Sequence, residues 1–373
     1  MIYLDNSATT KIDNRVVEEM IPYLKEFYGN PSSLYHSGQI ARRAIDRSRE
    51  IIANYINSDI QEVIFTSGGT ESNNLAIRGV ASALKNKGKH IITTKIEHDS
   101  ILNTIKSLEN FEITYLNNDK NGVIDENELR DSIRDDTILI SIIYANSEIG
   151  TIQNIKSLSK IAHDKKVLFH TDAMQATKYL DLNVQNLDID LMTFGSHKIN
   201  GPKGIGALYI KRETPIKPLI TGGSQEYNMR GGTENIANIV GFGKAISLLS
   251  SEINQRRNTV FNLRNIFEEK LKKIKGVKIN SNAEIKMPHL SNVFFKNISA
   301  ESMLIQLDQS GIAASAGSAC ASLSVEPSHV LIAIGLGTTE AKHSIRFTLG
   351  HENTIEEINK SIEIIKEING KYS

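Results

Sequence analysis

Five short segments of this 373-residue chain carry residue types suited to covalent or acid–base chemistry. GGTES (68–72) follows an apolar run and opens a helical stretch, so its small residues and helix N-terminus could admit a phosphate. The ordinary reading is a tight turn with Thr70 as helix cap. KIEHDS (95–100) places His98 just after another apolar run, where a histidine is usually a hydrogen-bonded structural residue. Asp172 and Gln175 follow VLFHT (167–171), and an acid there ordinarily serves a helix dipole. GSHKINGPKGIG (195–206) holds Ser196, His197, Lys198 and Lys203, yet lacks GxxxxGK[ST] and a complete GxGxxG. Cys320 lies among small residues in IAASAGSACASLSVEP (312–327), which reads as a loop running into a helix near Pro327.

Taken singly, each ordinary reading is the stronger one. Together the segments supply a phosphate cradle, a residue to lie against a ring, an acid for a ring nitrogen and a lysine for a Schiff base. Pyridoxal phosphate requires that set. An accessible Cys320 thiolate would add a nucleophile. Arg346 alternates with Ile345, Phe347 and Leu349 in SIRFTLG (344–350), so it points away from their apolar face. Such an arginine is commonly solubilising, though its fork suits a carboxylate. A different-class reading pairs Cys320 with His329 or His343 as a cysteine hydrolase, but leaves Lys198 and Asp172 without work.

These residues need a scaffold that gathers strand ends. VIFTS (63–67), HIITT (90–94), FEITYL (111–116), ILISIIY (138–144), VLFHT, DLMTF (190–194) and GALYI (206–210) read as strands. Helical stretches such as IKSLSKIAHDKK (155–166) separate them, which implies an α/β fold with a mostly parallel sheet covered on both faces. In such sheets ligands bind beyond the carboxyl ends of the strands. From about Ile236 to Lys275 the pattern turns to long helices, followed by strand-like SNVFFK (291–296), IAAS (312–315) and SIRFTLG. The final helix carries Ile355, Ile358, Ile362 and Ile365 on one stripe, with Gly370 placed to end it. The expected division is a large α/β cofactor-binding domain over 15–254, with a smaller α+β domain from 1–14 and 255–373 bearing the cysteine loop.

Composition narrows the function classes. Lys plus Arg and Asp plus Glu are each 43, giving zero formal charge and none of the basic excess of a nucleic-acid or membrane-surface binder. No apolar run approaches the 18 residues of a membrane span, and MIYLDNSATT lacks the basic start of a secretory signal. A single cysteine forbids an internal disulfide and paired-cysteine zinc sites, so a cytoplasmic enzyme without an intrinsic metal site is expected.

The ordered motifs YLDNSATT (3–10), GNPSS (29–33), FTSGGTESNN (65–74), EHDS (97–100), EIGTIQ (148–153), HTDAMQA (170–176), SHKINGPKGIGALY (196–209), RGGTEN (230–235) and SAGSACAS (315–322) resemble the cysteine desulfurases of the nitrogen-fixation and iron–sulfur-assembly type, within the class V aminotransferases. The resemblance spans nearly the whole chain. It implies fold type I of the pyridoxal-phosphate transferases and removal of sulfur from L-cysteine, giving alanine and a Cys320 persulfide. By the same resemblance Lys198 carries the cofactor and His98 stacks on its ring and shuttles protons. Asp172 meets the ring nitrogen and Gln175 the ring hydroxyl, Gly69, Thr70, Ser196 and His197 hold the phosphate, and Gly195 is a further cofactor-binding residue. Thr233 reaches in from the second subunit of a homodimer, and Arg346 binds the substrate carboxylate with help from Asn146 and Ser147. A sulfur-acceptor protein is implied, such as an iron–sulfur scaffold or a tRNA-thiolation protein, with Cys320 as a transient cluster ligand. Ser147 stands where the family commonly has asparagine, and His36 sits one position beyond the family's Leu-His and is given no role. The nearest alternative is a selenocysteine lyase or another class V aminotransferase.

Overall fold

A computed structural model describes residues 1–280, 286–317 and 326–372. The chain begins with β1 (Ile2–Tyr3), α1 (Asn14–Lys25) and α2 (His36–Ile56). It continues through β2 (Val63–Thr66), α3 (Gly69–Leu84), β3 (His90–Thr94), α4 (Asp99–Lys106), β4 (Glu112–Leu116), α5 (Glu126–Ser132) and β5 (Thr137–Ser141). Next come α6 (Ile155–Asp164), β6 (Leu168–Asp172), α7 (Val184–Leu187), β7 (Leu191–Gly195), β8 (Gly206–Ile210) and α8 (Ile236–Leu271). The remainder comprises β9 (Val277–Ile279), β10 (Leu290–Phe295), α9 (Ala300–Gln309), β11 (Ile312–Ala313), α10 (His329–Ala333), α11 (Thr338–Lys342), β12 (Ser344–Thr348) and α12 (Ile355–Gly370).

Seven strands pair in the order β2-β8-β7-β6-β5-β3-β4, with β8 antiparallel to both neighbours and the other pairs parallel. Successive residues on each strand face opposite layers. Ile64, Ile91, Leu139, Leu191 and Leu208 pack with Leu75, Ile77 and Val80 of α3 and with Ile101 and Ile105 of α4. Their neighbours Phe65, Ile92, Ile140, Met192 and Tyr209 face Ile45 and Ile52 of α2, Leu158 of α6 and Phe242 and Ile246 of α8. Both faces are thus covered, which is why strands such as β5 read as unbroken apolar runs.

A second cluster gathers Val293 and Phe295 of β10, Ile345 and Phe347 of β12, Met303 and Leu307 of α9, and Ile358 and Ile365 of α12. Here β10 lies between β9 and β12, antiparallel to both. β1 pairs in parallel with β11. Where several helices were expected after Ile236, α8 is one 36-residue helix, so position 254 lies inside it. Its Ile239–Leu249 stretch belongs to the first cluster and Leu263, Phe267 and Leu271 to the second. One 18-residue window of α8 is apolar enough to cross a membrane, but half of it is buried inside the fold.

Several element ends differ from expectation for local reasons. α3 starts at Gly69 with Gly68 (φ 152°) as its cap, so Thr70 is inside the helix and not its cap. β5 stops at Ser141, although Ile142 and Tyr144 still donate to the carbonyls of His170 and Asp172. α12 runs through Gly370 to a right-handed Lys371, so no left-handed glycine stop is used.

On the far edge, His163 of α6 donates toward two carboxylates, with Nε2 2.8 Å from Asp190 and Nδ1 3.1 Å from Asp188. The Asp190 hydrogen bond raises its pKa against the opposing effect of burial, and Asp188 adds to the rise. The folded protein therefore holds this proton more tightly than the unfolded chain. The resulting stabilisation is complete below about pH 6.5, the unfolded value, and fades as pH climbs through the raised folded value. Denaturant midpoints measured from about pH 6 to about pH 9 should show wild type falling toward His163→Gln as pH rises; a gap independent of pH would contradict this.

Candidate active site

The carboxyl ends of β3, β6 and β7 and the N-terminus of α3 open on one cavity of about 260 Å³. Asp172, the last residue of β6, is 3% exposed, and its Oδ1 accepts from the Met174 N–H at 2.9 Å. Its Oδ2 accepts from Asn73 Nδ2 of α3 at 2.8 Å. Asn73 Nδ2 also donates to Ser100 Oγ of α4, again at 2.8 Å. His98 caps α4: its Nδ1 accepts the Ser100 N–H at 3.1 Å and lies 2.8 Å from Ser100 Oγ. Lys198 leaves the loop after β7 and donates through Nζ to the carbonyls of Ser7 and, at 2.8 Å, Ala8. The Ser7 carbonyl also accepts from Gln175 Nε2 at 2.9 Å.

Residues 5–8 therefore form one wall of the site. Arg346 of β12 reaches the same wall, Nη2 donating to Asp5 Oδ1 at 2.8 Å and Nη1 to the Ser147 carbonyl at 3.1 Å. Alternation does turn it from the apolar face, but toward the cavity and not toward bulk solvent: it is 1% exposed. Burial in a low dielectric demands such a partner.

The electrostatics favour neutral groups around these charges. Burial, reinforced by Lys198, Lys178 and Lys203, lowers His197 to about 3, so its ring is uncharged at neutral pH. Burial drives Lys178 well below its ordinary value, with Lys198 and Arg346 adding to the effect; its Nζ donates to the Asn6 carbonyl at 2.5 Å. Glu97, beside His98, is pushed up to about 8 by burial, although its Oε1 accepts from Thr94 Oγ1 and the Ile143 N–H.

Three features fit a flat, phosphorylated pyridine aldehyde. Met174 lies across Gly69 and Gly195, where a Cβ would come within 2.7 Å of its Sδ and Cε respectively, so a larger residue at either position would push the thioether aside. Among the described residues, Ser196 Oγ, Gln175 Oε1 and Asn73 Oδ1 are buried polar atoms without a partner. The donor and acceptor types, with an amine, a buried carboxylate and a helix N-terminus, match the carbonyl, ring nitrogen and phosphate of such a molecule.

Of the residues singled out in the sequence, Gly69, Thr70, His98, Ser147, Asp172, Gln175, His197, Lys198 and Arg346 line this cavity. Gly195 ends β7 and Ser196 follows it. Asn146 does not line it. Its Nδ2 donates to the Ile96 carbonyl and its Oδ1 accepts from the Glu148 and Ile149 N–H groups, so it shapes the turn that presents Ser147. Thr233 is exposed and borders a separate cavity of about 270 Å³. Cys320 lies outside the described residues. His329 Nε2 and His343 Nδ1 are engaged by the carbonyls of Glu97 and Phe295. Sequence reading passed over Asn73, Ser100, Met174, Ser7 and Asp5. Asn73 and Ser100 sat inside quoted motifs, but only the folded strand ends bring them together.

The Asp5–Arg346 pair gives a test independent of any reaction. Asp5→Ala strands a buried guanidinium and should cost about 3 kcal/mol, whereas Asp5→Ala with Arg346→Met should recover most of it in denaturant titration. Equal losses in both variants would show the pair is not what holds this wall.

Comparison with known proteins completes the description. Residues 2–360 match the family described as Aminotransferase class-V. The protein named cysteine desulfurase IscS from Dictyoglomus turgidum is 49% identical over 370 residues, covering 98% of this chain and 94% of that protein. A solved structure described as a NifS-like protein superposes with a TM-score of 0.94 at 36% identity, covering 99% of both chains. One described as SspA in complex with cysteine gives 0.84 at 35% identity, covering 95% of this chain and all of that one.

Proposed function

The chain belongs to the class V aminotransferases, and from that premise we propose that it is a pyridoxal-phosphate-dependent cysteine desulfurase. The observation that carries the reading is one cavity holding the Lys198 amine, the Asp172 carboxylate and the Arg346 guanidinium. Lys198 would hold the cofactor carbonyl, with Asp172 on the ring nitrogen, Gln175 by the ring hydroxyl and His98 against the ring. Gly69, Thr70, Ser196 and His197 would receive the phosphate. Bound there, the cofactor supplies an electron sink beside the substrate's α-carbon.

The chain's own groups do the remaining work. Arg346, anchored by Asp5, keeps N–H donors for the carboxylate of L-cysteine. Released from the cofactor, the Lys198 amine takes the α-proton. The Cys320 thiolate then attacks the substrate sulfur: an S–S bond forms, the Cβ–S bond breaks, and its electron pair stays with the carbon fragment, which is protonated to alanine. Net, cysteine and a thiol become alanine and a persulfide on Cys320. That sulfur passes to an acceptor serving iron–sulfur assembly or thiolation of tRNA or cofactors, with Cys320 able to ligate a nascent cluster transiently. We further infer a soluble cytoplasmic homodimer in which the exposed Thr233 serves the second subunit's phosphate. Its domains follow 15–254 and 1–14 with 255–373, bridged by α8.

Purified protein should be yellow with bound cofactor and lose that absorbance in Lys198→Ala. Cys320→Ala should retain the absorbance but yield no persulfide or sulfide from cysteine. A colourless protein that gains no band with added cofactor, or a Cys320→Ala variant that still desulfurates, would sink the proposal. Arg346→Lys should raise KM for L-cysteine about tenfold or more with a smaller change in kcat, because a forked, charge-assisted contact becomes a single point. Steady-state kinetics read that split.

A further inference from the structure

Proton positions around His98 are dictated from both ends of a short hydrogen-bond chain. At one end the Asp172 carboxylate can only accept, and Asn73 Nδ2 lies 2.8 Å from its Oδ2. Turning the amide over would set Asn73 Oδ1 against that carboxylate, so the nitrogen side is fixed there. The same nitrogen lies 2.8 Å from Ser100 Oγ, which must accept its second hydrogen. Ser100 Oγ then has one proton to give, and His98 Nδ1 is 2.8 Å away. At the other end the Ser100 backbone N–H can only donate, and it meets the same Nδ1 at 3.1 Å. Nδ1 therefore takes two donors and carries no proton.

We propose that Asn73 is a positioning residue which, through Ser100, holds His98 as its neutral Nε2–H tautomer and closes Nδ1 to the protons of the reaction. The catalytic meaning of this proposal rests on His98 and Asp172 being cofactor residues; the tautomer itself does not. In this state Nδ1 is engaged by two donors and Nε2 carries the ring's one proton. Removal of the substrate's α-proton then falls to the Lys198 amine, and any proton His98 exchanges passes through Nε2. The chain also ties the ring-nitrogen acid to the stacking residue, so the two cannot shift independently.

The test uses the full-length protein as purified, labelled with ¹⁵N-histidine, with His98→Gln identifying the His98 ring signals. Long-range ¹H–¹⁵N correlations at neutral pH should show one bare nitrogen at Nδ1 and a protonated Nε2. Ser100→Ala should move the Nδ1 signal to higher frequency, as expected when a bare nitrogen loses a donor, while the backbone N–H keeps the tautomer. Asn73→Ala should move it in the same direction by less. The double variant should move it no further than Ser100→Ala alone, because Asn73 acts through that hydroxyl, and Ser100→Thr should return the signal toward wild type. A proton on Nδ1 in the wild type, or additive shifts in the double variant, would overturn the proposal. Neither result depends on desulfuration, so failure of the enzymatic reading would appear separately, as an absence of alanine from cysteine.

Discussion

Three buried or half-buried basic groups converge on four consecutive residues near the chain's start. Arg346 is held by Asp5, Lys178 by the Asn6 carbonyl, and Lys198 by the carbonyls of Ser7 and Ala8. Basic groups, charged or neutral, leave water for a protein interior only where oxygen atoms replace the lost hydration, since a buried donor or charge without a partner is costly. The site is therefore built around a supply of oxygens. The central sheet brings Lys198 to its edge and the second sheet brings Arg346, but residues 5–8 satisfy both. The same segment is pinned to β12 by the Ser7 N–H on Thr348 Oγ1 at 2.8 Å and by Asn6 Nδ2 on the Thr348 carbonyl at 2.9 Å.

Around that fixed wall the site separates charge from proton. Lys198 and Arg346 share the cavity with a carboxylate whose oxygens are already engaged, burial keeps the His197 ring neutral, and His98 Nδ1 accepts the Ser100 N–H. An amine meant to accept a proton works best where no neighbouring ring competes for it. Met174 contributes by shape. Its thioether covers two glycines and leaves an apolar floor with a helix N-terminus at its rim.

Much of this was legible in the sequence because sheet geometry converts position into proximity. A residue just after a parallel strand must emerge at the sheet's carboxyl edge, so His98, Asp172 and Lys198 could be grouped without knowing the strand order. Strand alternation likewise turned Arg346 from the apolar face, but it cannot say whether the other side is solvent or cavity, and the exposed reading failed for that reason. Thr70 looked like a cap because a hydroxyl just before an apolar run usually is one. The backbone instead turned two residues earlier, at Gly68 with φ 152°. Asn146 and Ser147 are adjacent, and only the tight turn decides which side chain is consumed by backbone. Asn73 and Ser100 lie 27 residues apart on different helices, and Asp5 lies 341 residues from Arg346. Partners of that kind carry no local signature.

That last separation bears on how the protein is made. The β12 groups that fix residues 5–8 are synthesised more than three hundred residues after them. Loop closure over such spans is entropically slow, and the central sheet can form beforehand from nearer partners. A nascent chain can thus own a finished sheet, and even the lysine on its edge, while the wall that orients that lysine is still loose. Until β12 is made, the Thr348 and Arg346 groups that hold that wall are absent from the chain.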